Sequence, residues 1–264
     1  IYIILEHHQN MISKNIIKHI RSLELKKNRV KEGLFVAEGP KVVADFMAMA
    51  SPVQIIATAQ WYETMGMAPR TNDVTVTDDE LRKVSFLQHP QQVLATFRIP
   101  CPALLSDCAL HELCLALDRV QDPGNLGTII RIADSFGIRH IICSQDTADA
   151  YSPKTVQATM GSLAHVNMIY TDLCAWLDQL PKDVPVYVTS LQGESLYAQP
   201  LTPHGIIVMG NEGNGVSAEV ARRANRSLFI PSYGGQKADS LNVAVATAIT
   251  CAEFRRANGA MDLK

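Results

Sequence analysis

The sequence predicts an α/β protein: a C-terminal domain built on a parallel sheet, preceded by a smaller N-terminal α/β domain. Three observations carry this. In the second half of the chain, short and nearly continuous apolar runs such as Leu113–Leu117 and Gly205–Met209 alternate with helix-like stretches. Strands of a parallel sheet look like this because crossover helices cover both of their faces. The pattern changes across 99–112, where Pro100 and Pro102 mark a linker between a domain at 11–98 and one at 113–259. Finally, 264 residues with 47% hydrophobic and 19% charged side chains supply ample apolar surface for packed cores, which excludes a mainly disordered chain.

The elements follow in order. Ser13 can cap a helix in which Ile16, Ile17, Ile20 and Leu23 recur at helical spacing. Lys26 to Gly33 reads as a basic loop. Leu34–Ala37 is a strand, broken by Glu38-Gly39-Pro40 before a helix from Lys41 to about Ala50. Val53–Ala57 and Val74–Val76 are strands flanking a helical turn at Trp61–Met65. Asp78-Asp79-Glu80 places carboxylates at a helix start, and Val93–Phe97 is the last strand of the unit.

In the second domain, the strand Leu113–Leu117 leads into a loop, Asp118 to Gly127, and a helix from Thr128 to Phe136 closed by Gly137. A strand at Ile138–Cys143 follows, then a helix near 153–163, a strand near 165–170 and a helix at 172–180. Val184–Ser190, Gly205–Met209 and Ser227–Ile230 are strands, Ser217–Ala224 is a helix, and Leu241–Arg256 is a long final helix that Ser240 can cap, with Asn242 in its first turn.

Several function classes fall away. No apolar run reaches the roughly 18 residues of a membrane span. The opening IYIIL at 1–5 is too short for a signal-peptide core and is followed by Glu6-His7-His8, so the expectation is a cytoplasmic protein. Met11 reads as an ordinary start, and residues 1–10 are set aside. Cysteines 101, 108, 114, 143, 174 and 251 form no C-x-x-C, and His8, His89, His111, His140, His165 and His204 are scattered, so neither a disulfide scaffold nor a metal site is expected. The dinucleotide fingerprint, the phosphate-binding G-x-x-x-x-G-K-[ST] and the G-x-S-x-G elbow are all absent. The net charge of −2 hides an asymmetry: between 11 and 41, eight basic residues face three acidic ones. Lys14, Lys18, Arg21, Lys26, Lys27, Arg29 and Lys31 are therefore candidates for contacting a polyanion.

Ligands of open α/β sheets sit beyond the carboxyl ends of the strands. Three loops there are rich in chemistry. The first runs from Asp118 to Gly127 and leads to Arg131, which puts Asn125 and Arg131 near one helix entrance. The second, Met209 to Gly215, holds Gly210, Asn211, Glu212 and Gly213, whose glycines permit close backbone approach. The third, Ile230 to Asn242, holds Pro231, Ser240, Leu241 and Asn242.

In order and spacing these loops resemble the three motifs of the TrmH/SpoU family of RNA 2′-O-ribose methyltransferases, of the SPOUT class. DPGNLGTIIRIADSFG (122–137), VMGNEGNGVS (208–217) and IPSYGGQKADSLNVAVATAI (230–249) carry the resemblance, which spans roughly 114–258. Upstream, VAEGPKVVADFM (36–47) is similar to the L30e-like RNA substrate-binding domain found in many members. Two departures stand out: Ala244 where the family motif has Ser, and a slightly longer third loop through Gly235-Gln236-Lys237.

The resemblance implies a deep trefoil knot in the C-terminal domain and a homodimer formed through that region. It implies S-adenosylmethionine held by Met209, Gly210, Asn211, Gly213, Ile230, Pro231 and Leu241, without metal. It implies methyl transfer to a 2′-hydroxyl of ribosomal or transfer RNA. Asn125, Arg131, Glu212, Ser240 and Asn242 would be the catalytic set, with Arg131 near the dimer interface and Glu212 anchoring either the loop or Arg131. An RNA-binding protein of this fold without transfer activity and a SPOUT enzyme acting on a base are the alternatives.

Overall fold

The computed structural model describes residues 12–101, 107–233 and 241–259. Ser240, Gly235-Gln236-Lys237, residues 1–10 and the middle of the expected linker (102–106) lie outside the described residues. The chain divides into two compact units, one comprising 1–100 and 151–164, the other 101–150 and 165–264.

The first unit holds α1 (Lys14–Ser22), α2 (Lys26–Glu32), β1 (Leu34–Glu38), α3 (Pro40–Met49), β2 (Gln54–Thr58), α4 (Ala59–Met65), β3 (Val74–Val76), α5 (Asp78–Val84) and β4 (Val93–Arg98). Among the described residues its sheet has the order β1-β4-β2-β3, with β4 antiparallel to both neighbours and β2 parallel to β3. One apolar cluster joins Ile20 of α1 and its C-cap Leu23 to Val36, Ile56, Leu81 and Leu94. A second is aromatic, with the Phe35 ring 5.0 Å from Phe46 and 5.9 Å from Phe97.

The stretch Lys26–Gly33, expected as a loop, is instead the helix α2. Its start carries no side-chain cap and its apolar content is low, so neither usual helix signal is present in the sequence. Gly33 ends it in the left-handed conformation at φ 65°. The helix is fastened by Arg29, buried to 2% exposure, whose Nη1 donates to the Leu23 and Glu24 carbonyls at 2.7 Å each.

The second unit opens with α6 (Cys108–His111), β5 (Leu113–Leu117), α7 (Pro123–Ser135) and β6 (His140–Ser144). The chain then contributes α8 (Pro153–Thr159) to the first unit, where Tyr151 lies 5.1 Å from Phe35 and Lys41 Nζ donates to the Met160 carbonyl at 2.8 Å. It continues through β7 (Asn167–Thr171), α9 (Leu173–Asp178), β8 (Val186–Ser195), β9 (Gly205–Met209), α10 (Ala218–Ala221), β10 (Arg226–Phe229) and α11 (Val243–Ala257).

The described strands form a sheet of order β10-β8-β9-β5-β6-β7, parallel at every pairing. Successive side chains of β5 point to opposite faces. Cys114 and Ala116 pack with Leu173, Trp176 and Val220 on the α9–α10 side. A helix layer of α7 and α11 includes Phe254, edge-on to Tyr187 at 4.8 Å. All five residues of β5 and of β9 are buried, which is why both read as unbroken apolar runs. No described helix is long and apolar enough to cross a membrane.

Candidate active site

Because the sheet is parallel, the loops after β5, β9 and β10 leave it at one pole. The loop after β5 is shorter than the sequence suggests, since α7 begins at Pro123 rather than Thr128. Asp122 is its cap, accepting from Asn125 N at 2.7 Å, and Pro123 sits at the first helical position, where its missing N–H costs nothing. Asn125 thus stands in the first turn of a helix, with a fixed direction.

That direction joins the three loops. Asn125 Nδ2 donates to Glu212 Oε1 at 3.0 Å, and Asn242 Nδ2 donates to Asn125 Oδ1 at 3.0 Å. Asn242 is itself the N-cap of α11, its Oδ1 accepting from Ala244 N and Val245 N. One amide side chain therefore caps the last helix with its oxygen and reaches the first loop with its nitrogen. The expected cap, Ser240, lies outside the described residues, and Asn242 takes that role.

The second loop is a closed hairpin. Asn211 and Gly215 exchange both backbone hydrogen bonds, at 3.0 and 2.9 Å. Asn211 Oδ1 accepts from Gly213 N and Asn214 N, while its Nδ2 donates to the Arg119 carbonyl at 2.9 Å and lies 3.4 Å from Glu212 Oε2. Gly210 is required by this hairpin itself: a Cβ there would lie 2.1 Å from the Gly215 carbonyl carbon and 2.2 Å from Val216 N. The close approach expected of Gly210 is thus first an approach of backbone to backbone.

The cofactor candidates fit an adenosine-like group in one specific respect. Gly210 is buried, and none of its backbone hydrogen bonds is to another described residue. Buried main-chain donors and acceptors rarely stay unpaired, so a ligand read through main chain suits this position. Met209 is buried at the end of β9, Ile230 and Pro231 are half-buried after β10, and Leu241 is 49% exposed. Asn211 and Gly213 serve the hairpin as described, with Asn211's backbone fully engaged.

Arg131 stands apart. It is exposed on α7, six residues after Asn125, which sets it about 120° around and about 9 Å along the helix. It makes no hydrogen bond or ion pair with any described residue, and Glu212 pairs with the two asparagines instead. Within the chain, Glu212 therefore anchors the loop residues and not Arg131. Sequence reasoning also missed two participants. Asp118, buried at the end of β5, accepts from Ser217 N at 2.6 Å and so ties the first loop to the end of the second. Arg119 adopts φ 59°, with its N–H on Ser144 Oγ at 2.9 Å. The one available signal was an acidic residue directly following a wholly apolar strand.

The basic candidates of the first unit divide. Lys14, Lys18, Lys26, Lys27 and Lys31 are exposed. Arg21 is exposed but tethered, Nη1 donating to the Ser85 carbonyl at 2.5 Å and its guanidinium lying 5.0 Å over Phe86. Arg29 is turned inward onto helix-end carbonyls, as above, so as placed it fastens the fold and does not offer its charge to a ligand.

Comparison with known proteins places this geometry. The sequence model of the SpoU rRNA Methylase family matches residues 112–252, a span that contains all three loops. The chain belongs to this family. Residues 14–95 match the MRM3-like substrate binding domain. Over 244 residues the chain is 33% identical to a Bacillus subtilis protein named 23S rRNA (guanosine(2553)-2'-O)-methyltransferase RlmP, covering 90% of this chain and 95% of that one. Among solved structures, a candidate RNA methyltransferase of the TrmH family from Porphyromonas gingivalis superposes with a TM-score of 0.84 at 39% identity, covering 93% of this chain and 99% of that one. An AdoMet-bound rRNA methyltransferase from Sinorhizobium meliloti gives 0.81 at 33% identity, covering 93% and 95%. The SpoU assignment agrees with the fold read from the sequence, a parallel-sheet C-terminal domain with a separate N-terminal α/β part.

Proposed function

We infer that this SpoU family chain is an S-adenosylmethionine-dependent RNA methyltransferase that methylates a ribose 2′-hydroxyl, with ribosomal RNA as its substrate. The observation that carries the reading is the hydrogen-bonded chain Asn242–Asn125–Glu212, which links the three family loops at the carboxyl pole of the sheet. The whole-length likeness to a named 23S rRNA 2′-O-methyltransferase and to an AdoMet-bound rRNA methyltransferase supports it.

S-adenosylmethionine, when bound, would supply a methyl group on a sulfonium whose sulfur leaves as a neutral thioether, so the protein has only to position the acceptor and manage its proton. The main chain at Met209, Gly210, Ile230, Pro231 and Leu241 would hold the adenosine, with Asn211 and Gly213 shaping the hairpin beside it. Asn125, Glu212 and Asn242 fix the loop ends relative to each other, and Ser240 lies two positions before Asn242 in the sequence. Arg131 carries a guanidinium, a poor base by nature. Its part is to fix an RNA phosphate and stabilise charge developing on the attacking oxygen.

Arg131 lies off the Asn125 cluster of its own protomer, which favours a homodimer in which it serves a neighbouring copy. Leu241, just before the cap of α11, and Val245, in its first turn, are both 49% exposed and offer apolar surface for that contact. Membership of the family supports extending its deep trefoil knot to this chain. Exposed lysines of α1 and α2 would hold the RNA through its phosphates, and a cytoplasmic location suits an enzyme acting on ribosomal RNA.

The test is transfer of labelled methyl from S-adenosylmethionine to protein-free and ribosome-assembled RNA, followed by mapping of the modified nucleotide. A 2′-O-methyl product is expected. Label on a base would replace the reading with base methylation, and cofactor binding with no transfer to any RNA would leave an RNA-binding protein of this fold.

A further inference from the structure

We propose that Arg119 is a substrate-binding residue whose guanidinium grips a backbone phosphate of the RNA close to the target ribose. The inference rests on the function proposed above and adds a contact to it.

Arg119 occupies the left-handed region at φ 59°, a conformation that side chains with a Cβ adopt at a cost and that glycine adopts freely. Its backbone is held there from two sides. Its N–H donates to Ser144 Oγ at 2.9 Å, at the end of β6, and its carbonyl accepts from Asn211 Nδ2 at 2.9 Å, from the second loop. The fold thus requires this backbone shape but makes no evident demand for an arginine. Glycine would satisfy the same shape more cheaply, so the side chain is retained for another reason.

Its surroundings indicate which. The side chain is 38% exposed, and its Nε is buried without a hydrogen bond. Among the described residues, the one carboxylate paired with it is that of its neighbour Asp118, at 3.4 Å, and the other oxygen of that carboxylate already takes Ser217 N at 2.6 Å. No hydrogen bond from the terminal nitrogens to a described residue is observed, so a fork of donors is left at the pole where the three loops meet. Asn211 bridges the Arg119 carbonyl to Glu212, which bonds Asn125, so Arg119 is rigidly referenced to the reacting centre. A planar guanidinium with its fork unengaged, held at a fixed place beside a site that acts on RNA, suits a phosphate, which it can bind with two donors at once.

The experiment compares the full-length protein with Arg119→Gly and Arg119→Lys. Glycine keeps the backbone shape and removes only the side chain, so Arg119→Gly should melt at or above the parent temperature. Its KM for RNA should rise about tenfold with kcat within about twofold, and S-adenosylmethionine affinity should not change. The slope of log affinity for RNA against log salt should shrink by roughly one phosphate contact, about 0.7 for a single strand. Arg119→Lys should recover part of the affinity and all of the salt slope, since it keeps the charge but not the fork. Salt slopes are read from equilibrium binding to RNA without cofactor, so they report on Arg119 even if no methyl transfer is found. A parental KM and slope in Arg119→Gly would overturn the proposal. So would a lowered melting temperature accompanied by proportional losses of RNA and cofactor binding, which would make the pair with Asp118 structural.

Discussion

The contact between Asn125 and Glu212 can be tested by reversing its polarity. Asn125→Asp is nearly isosteric, keeps the acceptor that Asn242 uses, and replaces the donor facing Glu212 Oε1 with an oxygen at about the same 3.0 Å. Two effects add. A hydrogen bond to a charged partner, worth about 1.5–3 kcal/mol, is lost. Two carboxylates are also brought together, and at an effective dielectric of 40–80 a 3 Å pair repels by about 1.4–2.8 kcal/mol. Both groups are only half-buried, so relaxation and solvent screening reduce the sum to about 2–3 kcal/mol. If the contact sets the geometry for transfer, the rate should fall about 30- to 150-fold, at 1.36 kcal/mol per decade. Glu212→Gln alone should cost little, since its amide oxygen still accepts from Asn125. The double variant should regain most of the loss, because the amide introduced at position 212 can turn its nitrogen toward the carboxylate introduced at position 125. Single-turnover transfer with saturating cofactor and RNA, run beside thermal melts, gives the four corners of the cycle. A coupling energy below about 0.5 kcal/mol, with the double variant no better than Asn125→Asp, would refute the claim that this bond organises the site.

Other expectations follow from particular contacts. Gly210→Ala should suffice to open the Asn211–Gly215 hairpin, because its Cβ would lie 2.1 Å from backbone; calorimetry should show cofactor affinity lost at least 100-fold, and unchanged affinity would remove the hairpin from the cofactor site. Arg29→Ala should lower stability by about 1–3 kcal/mol by unpairing buried carbonyls while leaving the salt slope of RNA binding alone, whereas joint neutralisation of Lys14, Lys18 and Lys31 should flatten that slope without moving the melt. Burial holds the Glu38 carboxyl above the usual carboxylate range, against the lowering effect of bonds from Ser85 and Phe86 N. The folded state therefore binds this proton more readily than the unfolded one, so the contribution to stability falls as pH rises from the ordinary carboxylate pKa to the raised one. Glu38→Gln should remove this pH dependence, and Glu38→Ala should cost about 1–3 kcal/mol by leaving Phe86 N–H unpaired; identical pH profiles for parent and Glu38→Gln would refute the assignment. Arg131→Ala should slow single-turnover transfer about 10²- to 10³-fold with a parental melt, while a parental rate would remove Arg131 from the mechanism.

Legibility of the sequence tracked the physical origin of each feature. The strands of the C-terminal sheet were visible because burial on both faces leaves no polar alternation, as the wholly buried β5 and β9 show. The helix α2 was hidden because what fastens it is a buried arginine acting on carbonyls of the preceding turn, and a sequence pattern reads that arginine as surface charge. The early start of α7 was readable in principle, since Asp122-Pro123 is a cap followed by the residue best suited to the first helical position. It was obscured by Gly124 and Gly127, which favour a loop reading when counted alone.

The candidate site shows a second limit of the same kind. Asn125, Glu212 and Asn242 could be singled out by their place in three loops, but not how they engage one another, because amides are ambivalent. Each asparagine side chain carries a donor and an acceptor, so a sequence cannot say which end is used locally and which reaches across. The structure resolves this in one direction: Asn242 and Asn211 turn their oxygens to their own backbone and their nitrogens outward. Local capping orients the oxygen, and that orientation presents the N–H groups to distant acceptors, Asn125 Oδ1 and the Arg119 carbonyl. An aspartate could cap equally well but would offer no donor to the next loop. The requirement for asparagine here is thus a requirement to do two jobs at once, and Asn242→Asp isolates the second. The helix cap should survive and the melt should stay within about 1 kcal/mol of parent, while the link to Asn125 Oδ1 becomes repulsive unless the Asn125 amide flips and so releases Glu212. Transfer should fall by about one decade or more. A variant that caps, melts and transfers like the parent would show that the third loop is placed by α11 alone.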